Sequence, residues 1–291
     1  MTFMRKFFFK AANRGWLNWV PDAAYLKLKY YASFGRKLNL SSPERFNEKL
    51  QWLKLHDRKP IYQIMADKYE AREFAAKKTG NRYIIPALGV WERFEEIDFD
   101  SLPNRFVLKC THDSGGLVIC EDKASFNRTA AREKIEKCLK RNYFFRSRER
   151  PYQNIHPRII AEENLAEGRQ GMTDYKVFCF HGKPRLILVC QGRFSAGGMT
   201  EDFYDLNWRL LDISRPGHGH GPLIPKPIHV DEMLQTAALF SEGIPFLRVD
   251  FYDTPQSLYL GEFTFYPSSG FVGFQPDSWD KVLGDWLDLK E

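Results

Sequence analysis

The sequence predicts an α+β fold in which helices come first and a body of antiparallel strands follows. Three observations carry this reading. The first eighty residues hold apolar positions at helical spacing, and from about Asn81 short apolar runs bounded by turn residues take over. The stretch "RVDFYDTPQSLYLGEFTF" (248–265) then alternates like two strands around a polar turn.

The elements follow in order. "SSPERFNEKLQWLKLHD" reads as a helix with Ser42 as its cap, Pro43 at its first position, and Phe46, Leu50 and Leu53 on one face. "PIYQIMADKYEAREFAAKKTG" reads as one further helix ended by Gly80. "RFVLKC", "LVICED" and "RIIAEE" are strand-like, with the helical "TAAREKIEKCLKRN" before the third. "DYKVFCF" and "RLILVC" flank the tight turn "HGKP". "PGHGHGPLIPKP" is a loop, "VDEMLQTAALFSEG" a helix, and "SWDKVLGDWLDLK" a closing helix.

At 291 residues the chain suffices for one large domain or two to three small ones. A net charge of +6 fits an anionic partner without selecting one. Five cysteines, odd in number and without CxxC spacing, read as reduced buried thiols of a cytoplasmic protein. No apolar run reaches the roughly 18 residues of a spanning helix. The opening "MTFMRKFFFKAANRGWLNWV" is too interrupted by basic residues for a signal sequence. It reads as a helix packed on its own domain, or as one resting at the inner face of a membrane.

The chemistry begins with the hairpin. A turn centred near Gln256 sets Asp250 opposite Glu262, and facing carboxylates repel unless they are solvated or a cation lies between them. Arg248 shares the face of Asp250, and Thr264 that of Glu262. All-oxygen ligands at this spacing suit Mg²⁺, and the planar fork of Arg248 suits a phosphate. In "VLKCTHDSGGLVIC" a strand delivers Lys109 to a loop containing Ser114, Gly115 and Gly116. That loop is either a phosphate cradle or an ordinary glycine-containing hairpin turn. Three further features carry alternatives: the DxD of Asp98 and Asp100 as a glycosyltransferase metal site, the histidines of "GHGHG" (His218, His220), and the basic-aromatic stretch 140–152 as a grip for an anionic polymer or a solvated helix end.

"FNEKLQWLKLHDRKP", "ADKYEAREFA", "LKCTHDSGG", "DYKVFCFHGKP", "FYDLNW" and "RVDFY…GEFTFYPSSGF", in this order from about Leu38 to Leu287, resemble the ATP-grasp superfamily and within it the teichuronopeptide-biosynthesis (TupA-like) branch. The resemblance implies two α+β subdomains with antiparallel sheets sandwiching ATP, residues 81–165 and 166–291, after a mainly helical region 1–80. It implies an ATP- and Mg²⁺-dependent ligase that joins a carboxylate to an amine through an acyl phosphate. The expected partners are an amino acid or other amine and a uronic-acid-containing cell-surface glycan or its precursor, with no nucleic acid.

By comparison with D-alanine–D-alanine ligases, Arg72 is expected near the α-phosphate, and Lys109 with Ser114, Gly115 and Gly116 around the phosphates. Glu162 would face the adenine amino group, with the backbones of Glu163 and Leu165 against the base. Asp174 would hold the ribose, with Lys176 beside it. Arg209 and Arg248 would approach the terminal phosphate, Asp250 and Glu262 the metal. Thr264 stands where the pattern has asparagine, a weaker metal ligand. Ser268 and Ser269 replace a proline–glycine turn near the reacting carboxylate. His112 and Asp113 are the candidate bases for the amine.

Overall fold

A computed structural model of the chain describes residues 3–166, 172–193, 195 and 197–290. Helices α1 (Phe3–Asn13) and α2 (Asp22–Phe34) pack on each other through Phe8, Ala12, Tyr25 and Leu26. Helix α3 (Phe46–His56) begins three residues later than the Ser42 cap implies. The amide of Ser42 donates to the side chain of Asn39 in a separate turn, and Glu48 folds back to accept from the amides of Glu44 and Arg45.

The expected helix over 60–80 is two, α4 (Ile61–Ala66) and α5 (Glu70–Thr79). Asp67 ends the first by accepting from the Tyr69 amide at 2.8 Å, while the Lys68 amide donates to the Thr111 carbonyl at 3.0 Å. A short side chain that bonds its own backbone competes with the helix ladder. The break aims Lys68 at the loop around Asp113, whose carbonyl accepts from its ammonium at 2.6 Å.

The first sheet contains β1 (Ala87–Trp91), β2 (Phe106–Cys110), β3 (Leu117–Cys120) and, after α6 (Arg128–Leu139) and α7 (Phe144–Ser147), β4 (Ile159–Glu163). Its order is β1-β4-β2-β3, all antiparallel. Ala131, Ile135 and Cys138 of α6 pack on Phe106, Leu108 and Cys110. The second sheet contains β5 (Asp174–Phe180), β6 (Lys183–Gln191), β7 (Thr200–Tyr204), β8 (Phe246–Asp253) and β9 (Leu258–Thr264), with α8 (Val230–Ser241) between β7 and β8. Its order is β7-β6-β5-β8-β9, again antiparallel throughout.

The helices at 46–79 complete the core of this second sheet. Phe46 meets Phe246 at 4.9 Å between ring centroids and Phe180 at 5.8 Å, and Tyr62 meets Phe265 at 4.4 Å. Truncating one such buried ring to alanine costs about 3–5 kcal/mol. Helix α9 (Ser278–Trp286) lies against α3, where the side chain of buried Asp280 accepts from the Asn47 amide and amide side chain.

The stretch 140–152 is neither a polymer grip nor a solvated helix end. Arg148 is buried and donates to the carbonyls of Leu17, Asn18 and Val20, with its guanidinium over the Tyr25 ring. Arg150 pairs with Asp22 at 2.8 Å, and Arg141 pairs with Asp113. Arg148 and Arg150 stitch α1 and α2 to the body. All five cysteines are buried free thiols, and among the described residues no helix is long and apolar enough to cross a membrane.

Candidate active site

The second sheet builds one wall of the site. Register places Lys176 of β5, Asp250 of β8 and Glu262 of β9 in one cross-strand row, with Arg248 opposite Thr264 in the next. The hairpin turn is shorter than a Gln256 centre requires, because Asp253 pairs with Leu258. A regular ladder from there would set Asp250 against Gly261. A bulge at Gly261 slips the register by one and restores Glu262 to the facing position. Glycine suits that place: a Cβ there would lie 3.2 Å from the Tyr252 ring and 3.3 Å from the Asp250 carbonyl oxygen.

The facing carboxylates are held by cations. Asp250 accepts from Arg248 Nε at 2.6 Å, Arg248 Nη2 at 2.7 Å and Lys176 Nζ at 2.5 Å. Arg248 also reaches Thr264 Oγ1 at 3.0 Å and Glu262 at 3.4 Å. Asp174 accepts from Arg193 at 2.7 Å and lies 3.6 Å from Lys176. Burial would push the Glu262 carboxyl up, but Lys68, then Arg248, Lys176 and Arg193, hold it down to about 2. It is therefore ionised throughout the physiological range.

The first sheet builds the facing wall. Lys109 on β2 and Arg72 on α5 both clasp the buried Glu162 carboxylate, at 2.5 and 2.9 Å. Beyond Lys109 the chain turns through Ser114 and Gly115 at an exposed tip. Gly116 lies so close to Asp113 and Cys110 that a Cβ would sit 2.7–2.8 Å from their atoms, and its amide donates to Asp113 at 3.2 Å. Between the walls runs a cleft of about 340 Å³, lined by Ile85, Val107, Leu117 and Ile119 with Lys109, Glu162, Glu163, Leu165, Asp174, Arg193 and Tyr252. Apolar walls with a few convergent polar groups suit a flat ring bearing a charged tail.

Of the residues singled out from the sequence, Lys109, Glu162, Glu163, Leu165 and Asp174 line this cleft, Arg72 and Glu262 line a pocket that shares Glu162 with it, and Lys176, Arg248, Asp250 and Thr264 continue from Asp174 and Glu262 along the second sheet. Others stand elsewhere or differently. Glu162 is occupied by its two cations, and the acid at the mouth without a side-chain bond among the described residues is Glu163, one residue on and exposed. Arg209 is exposed in the turn after β7, where only its backbone bonds Asp205, and its side chain pairs with no described residue. His112 is buried with Nε2 3.1 Å from the Cys138 carbonyl, and burial lowers its pKa, so it is a packed core histidine.

Asp113 is likewise engaged, by Arg141 and the Gly116 amide. Ser268 and Ser269 have φ of 50° and 57°, a left-handed pair costing roughly 1–3 kcal/mol each. They are held by Arg215, which donates to Ser268 Oγ at 2.6 Å, and by Lys54, which donates to the Ser269 carbonyl at 2.7 Å.

Sequence reading missed Lys68, Arg193, Arg215 and Tyr252. Lys68 lies in the quoted "ADKYEAR" and becomes visible only once the helix is seen to break there. Arg193 follows a strand, and its role depends on Asp174 from the neighbouring strand.

Mg²⁺ fits this donor set only in company. Asp250 already accepts three hydrogen bonds, Thr264 Oγ1 is taken by Arg248, and among the described residues no three His, Cys, Asp or Glu groups converge on one point. Glu262, with its side chain 40% exposed, is the available carboxylate. Mg²⁺ ordinarily takes one or two carboxylates plus phosphate oxygens, so the residues fit a metal carried by a nucleotide.

The alternative sites do not assemble. Asp98 Oδ1 accepts from the Asp100 amide in an exposed turn, and neither residue lines the cleft. His220 pairs with Asp202 at 2.7 Å and His218 lies 3.9 Å from Glu201, which docks "GHGHG" along β7.

A model of the TupA-like ATP-grasp family matches residues 48–288. No curated protein matches the chain. Solved structures that resemble it include D-alanine–D-alanine ligase from Helicobacter pylori (12% identity, 84% of this chain and 70% of that one, TM-score 0.46). They also include D-alanine–D-alanine ligase from Bacillus anthracis complexed with ATP (16%, 77% and 65%, TM-score 0.43) and the ATP-grasp ligase PsnB with a minimal precursor (11%, 75% and 60%, TM-score 0.43). The chain thus spans slightly under two thirds of the length of the last two. With the family match extending over most of its length, the chain belongs to the TupA-like ATP-grasp family.

Proposed function

We propose that the protein is an ATP- and Mg²⁺-dependent carboxylate–amine ligase. On this reading it amidates a uronic acid of a cell-surface polysaccharide, or its precursor, with an amino acid. The supporting observation is the cleft itself: an apolar slot for a base, leading to cations on both walls. A carboxylate oxygen attacks the γ-phosphorus of ATP, ADP leaves, and an acyl phosphate forms. The amine then attacks the acyl carbon, inorganic phosphate leaves, and the amide remains.

The residues act by position and charge. Lys109 and Arg72 would release Glu162 to meet phosphate oxygens, and Lys68 and Arg248 lie on the Glu262 side, where charge develops on the transferred group. Mg²⁺, when bound, neutralises phosphate charge at Glu262. Asp174 is offered to the ribose and Glu163 to the base edge. The glycan acceptor rests on the family resemblance alone.

The test is a screen of amino acids against uronic acids and their oligomers for ATP-dependent phosphate release. A productive pair should give stoichiometric ADP, phosphate and amide, and Glu262→Ala should abolish turnover. Wild-type turnover in Glu262→Ala would overturn the assignment of the site.

A further inference from the structure

We propose that the N-terminal helical pair is a docking surface for an anionic lipid bilayer. Residues 1–37 contain eight Lys and Arg and one acid, Asp22, a net +7; the whole chain is +6, so the remainder is −1. The basic excess is therefore confined to one structural element. Three of the eight are used internally: Arg5 on the Ser33 carbonyl, Lys29 on Ser147, and Arg36 on Asp277 and Asp280. Lys6, Lys10, Arg14, Lys27 and Lys37 are exposed and pair with no acid among the described residues. Asp22 offers them nothing, because Arg148 and Arg150 occupy it.

The same element exposes large apolar side chains. Phe8, Ala11 and Ala12 of α1 turn inward, which leaves Lys6, Phe7, Lys10, Asn13 and Arg14 as one outward stripe at helical spacing. Phe7 is 58% exposed. The stripe runs on into Trp16 and Trp19, 53% and 81% exposed, with the Arg14 guanidinium 5.2 Å from the Trp16 ring centre. On α2 a second outward stripe carries Lys27, Leu28 and Tyr31. Exposed Trp, Phe and Leu interleaved with unpaired Lys and Arg are what a headgroup region accepts: rings at acyl-chain level, ammonium groups among phosphates. A soluble polyanion would satisfy the charges and leave Phe7 and Leu28 in water.

Flotation of the purified full chain with vesicles tests this. It should float with phosphatidylcholine containing about 30% phosphatidylglycerol and stay behind with phosphatidylcholine alone. Raising salt from about 0.1 M to about 0.5 M should weaken binding on the order of tenfold or more. Trp16→Ala/Trp19→Ala and, separately, Lys6→Glu/Lys10→Glu should each weaken it by at least about tenfold. Both variants should keep the wild-type circular dichroism and melting temperature. The proposal is overturned by absence of flotation with anionic vesicles or by equal flotation with neutral ones. It is also overturned if the tryptophan variant binds like wild type, which would mark a purely ionic polyanion contact, or if a stable dimer shields Trp19 from a quencher.

Discussion

Glu162→Gln is the substitution that best separates two roles for the first wall. Glu162 is 7% exposed in its side chain, and its two cations, Arg72 and Lys109, are 18% and 16% exposed. Removing one member of a buried ion pair costs about 3–5 kcal/mol, because its partners stay buried without counter-charge. The slight exposure of the cations puts the expectation at the low end, about 3 kcal/mol. At about 2.1 cal/mol/K per residue the chain unfolds with an entropy near 0.6 kcal/mol/K, so the ligand-free melting temperature should fall by roughly 5 °C. If the cations exist to receive phosphates, ATP restores the missing negative charge. Saturating ATP should then at least halve the gap between variant and wild type. If Glu162 instead holds the adenine amino group, the variant binds ATP less well and the gap widens. Differential scanning fluorimetry with and without ATP reads both. An equal gap in the two conditions, or a ligand-free loss under about 1 kcal/mol, would refute the argument from the clasp.

Three other outcomes are expected. Titration calorimetry should show no Mg²⁺ binding to the protein alone, and Mg²⁺ should tighten ATP binding on the order of tenfold or more in wild type but not in Glu262→Gln; heat from Mg²⁺ without nucleotide would contradict the fit described for Asp250. Burial pushes Lys54 down to about 7, against the opposing pull of Glu149, so between pH 7 and the ordinary lysine range the unfolded chain binds the extra proton and stability rises with pH. Urea unfolding at neutral and alkaline pH should show a gain on the order of a few kcal/mol that is missing in Lys54→Met, and parallel profiles would contradict it. Arg148→Met leaves three carbonyls without their donor and Asp22 with Arg150 alone, and should cost about 3–5 kcal/mol in the same unfolding assay, where a loss under about 1 kcal/mol would show the stitch to be idle.

The class of fold was legible because its signals are periodic: strand alternation and helical spacing survive without tertiary knowledge. Lys109, Asp250 and Glu262 were legible because strand neighbours and a hairpin fix their faces locally. Legibility ended where a side chain outcompeted a pattern. Asp67 breaks a helix that periodicity continues, and Asn39 captures Ser42 before it can cap one. Arg148 reads as surface charge and is buried, since only the fold brings three carbonyls of the α1–α2 turn to it. Glu162 and Glu163 are adjacent acids with opposite fates, and which of them meets the cations depends on the register of β4 against β2. Arg209 fits only by its position in a motif, whereas Arg215, six residues on, is the arginine that the fold brings to Ser268.

The charge inventory of the site bears on how many metal ions it can receive. Around the phosphate end, with Glu163 left to the base end, six cations, Lys68, Arg72, Lys109, Lys176, Arg193 and Arg248, face four carboxylates, Glu162, Asp174, Asp250 and Glu262. Two positive charges are left over. Fully ionised ATP carries four negative charges, and one Mg²⁺ brings that to two, which matches the surplus. A second Mg²⁺ would restore it and place two cations among six already present in a partly desolvated site, where like charges repel strongly. It would also need Thr264, whose hydroxyl is in the grip of Arg248 at 3.0 Å. On the proposed function, these charges favour receiving the nucleotide with one metal over two. Where an asparagine could offer a carbonyl oxygen to a second ion, this chain uses a threonine to orient the arginine.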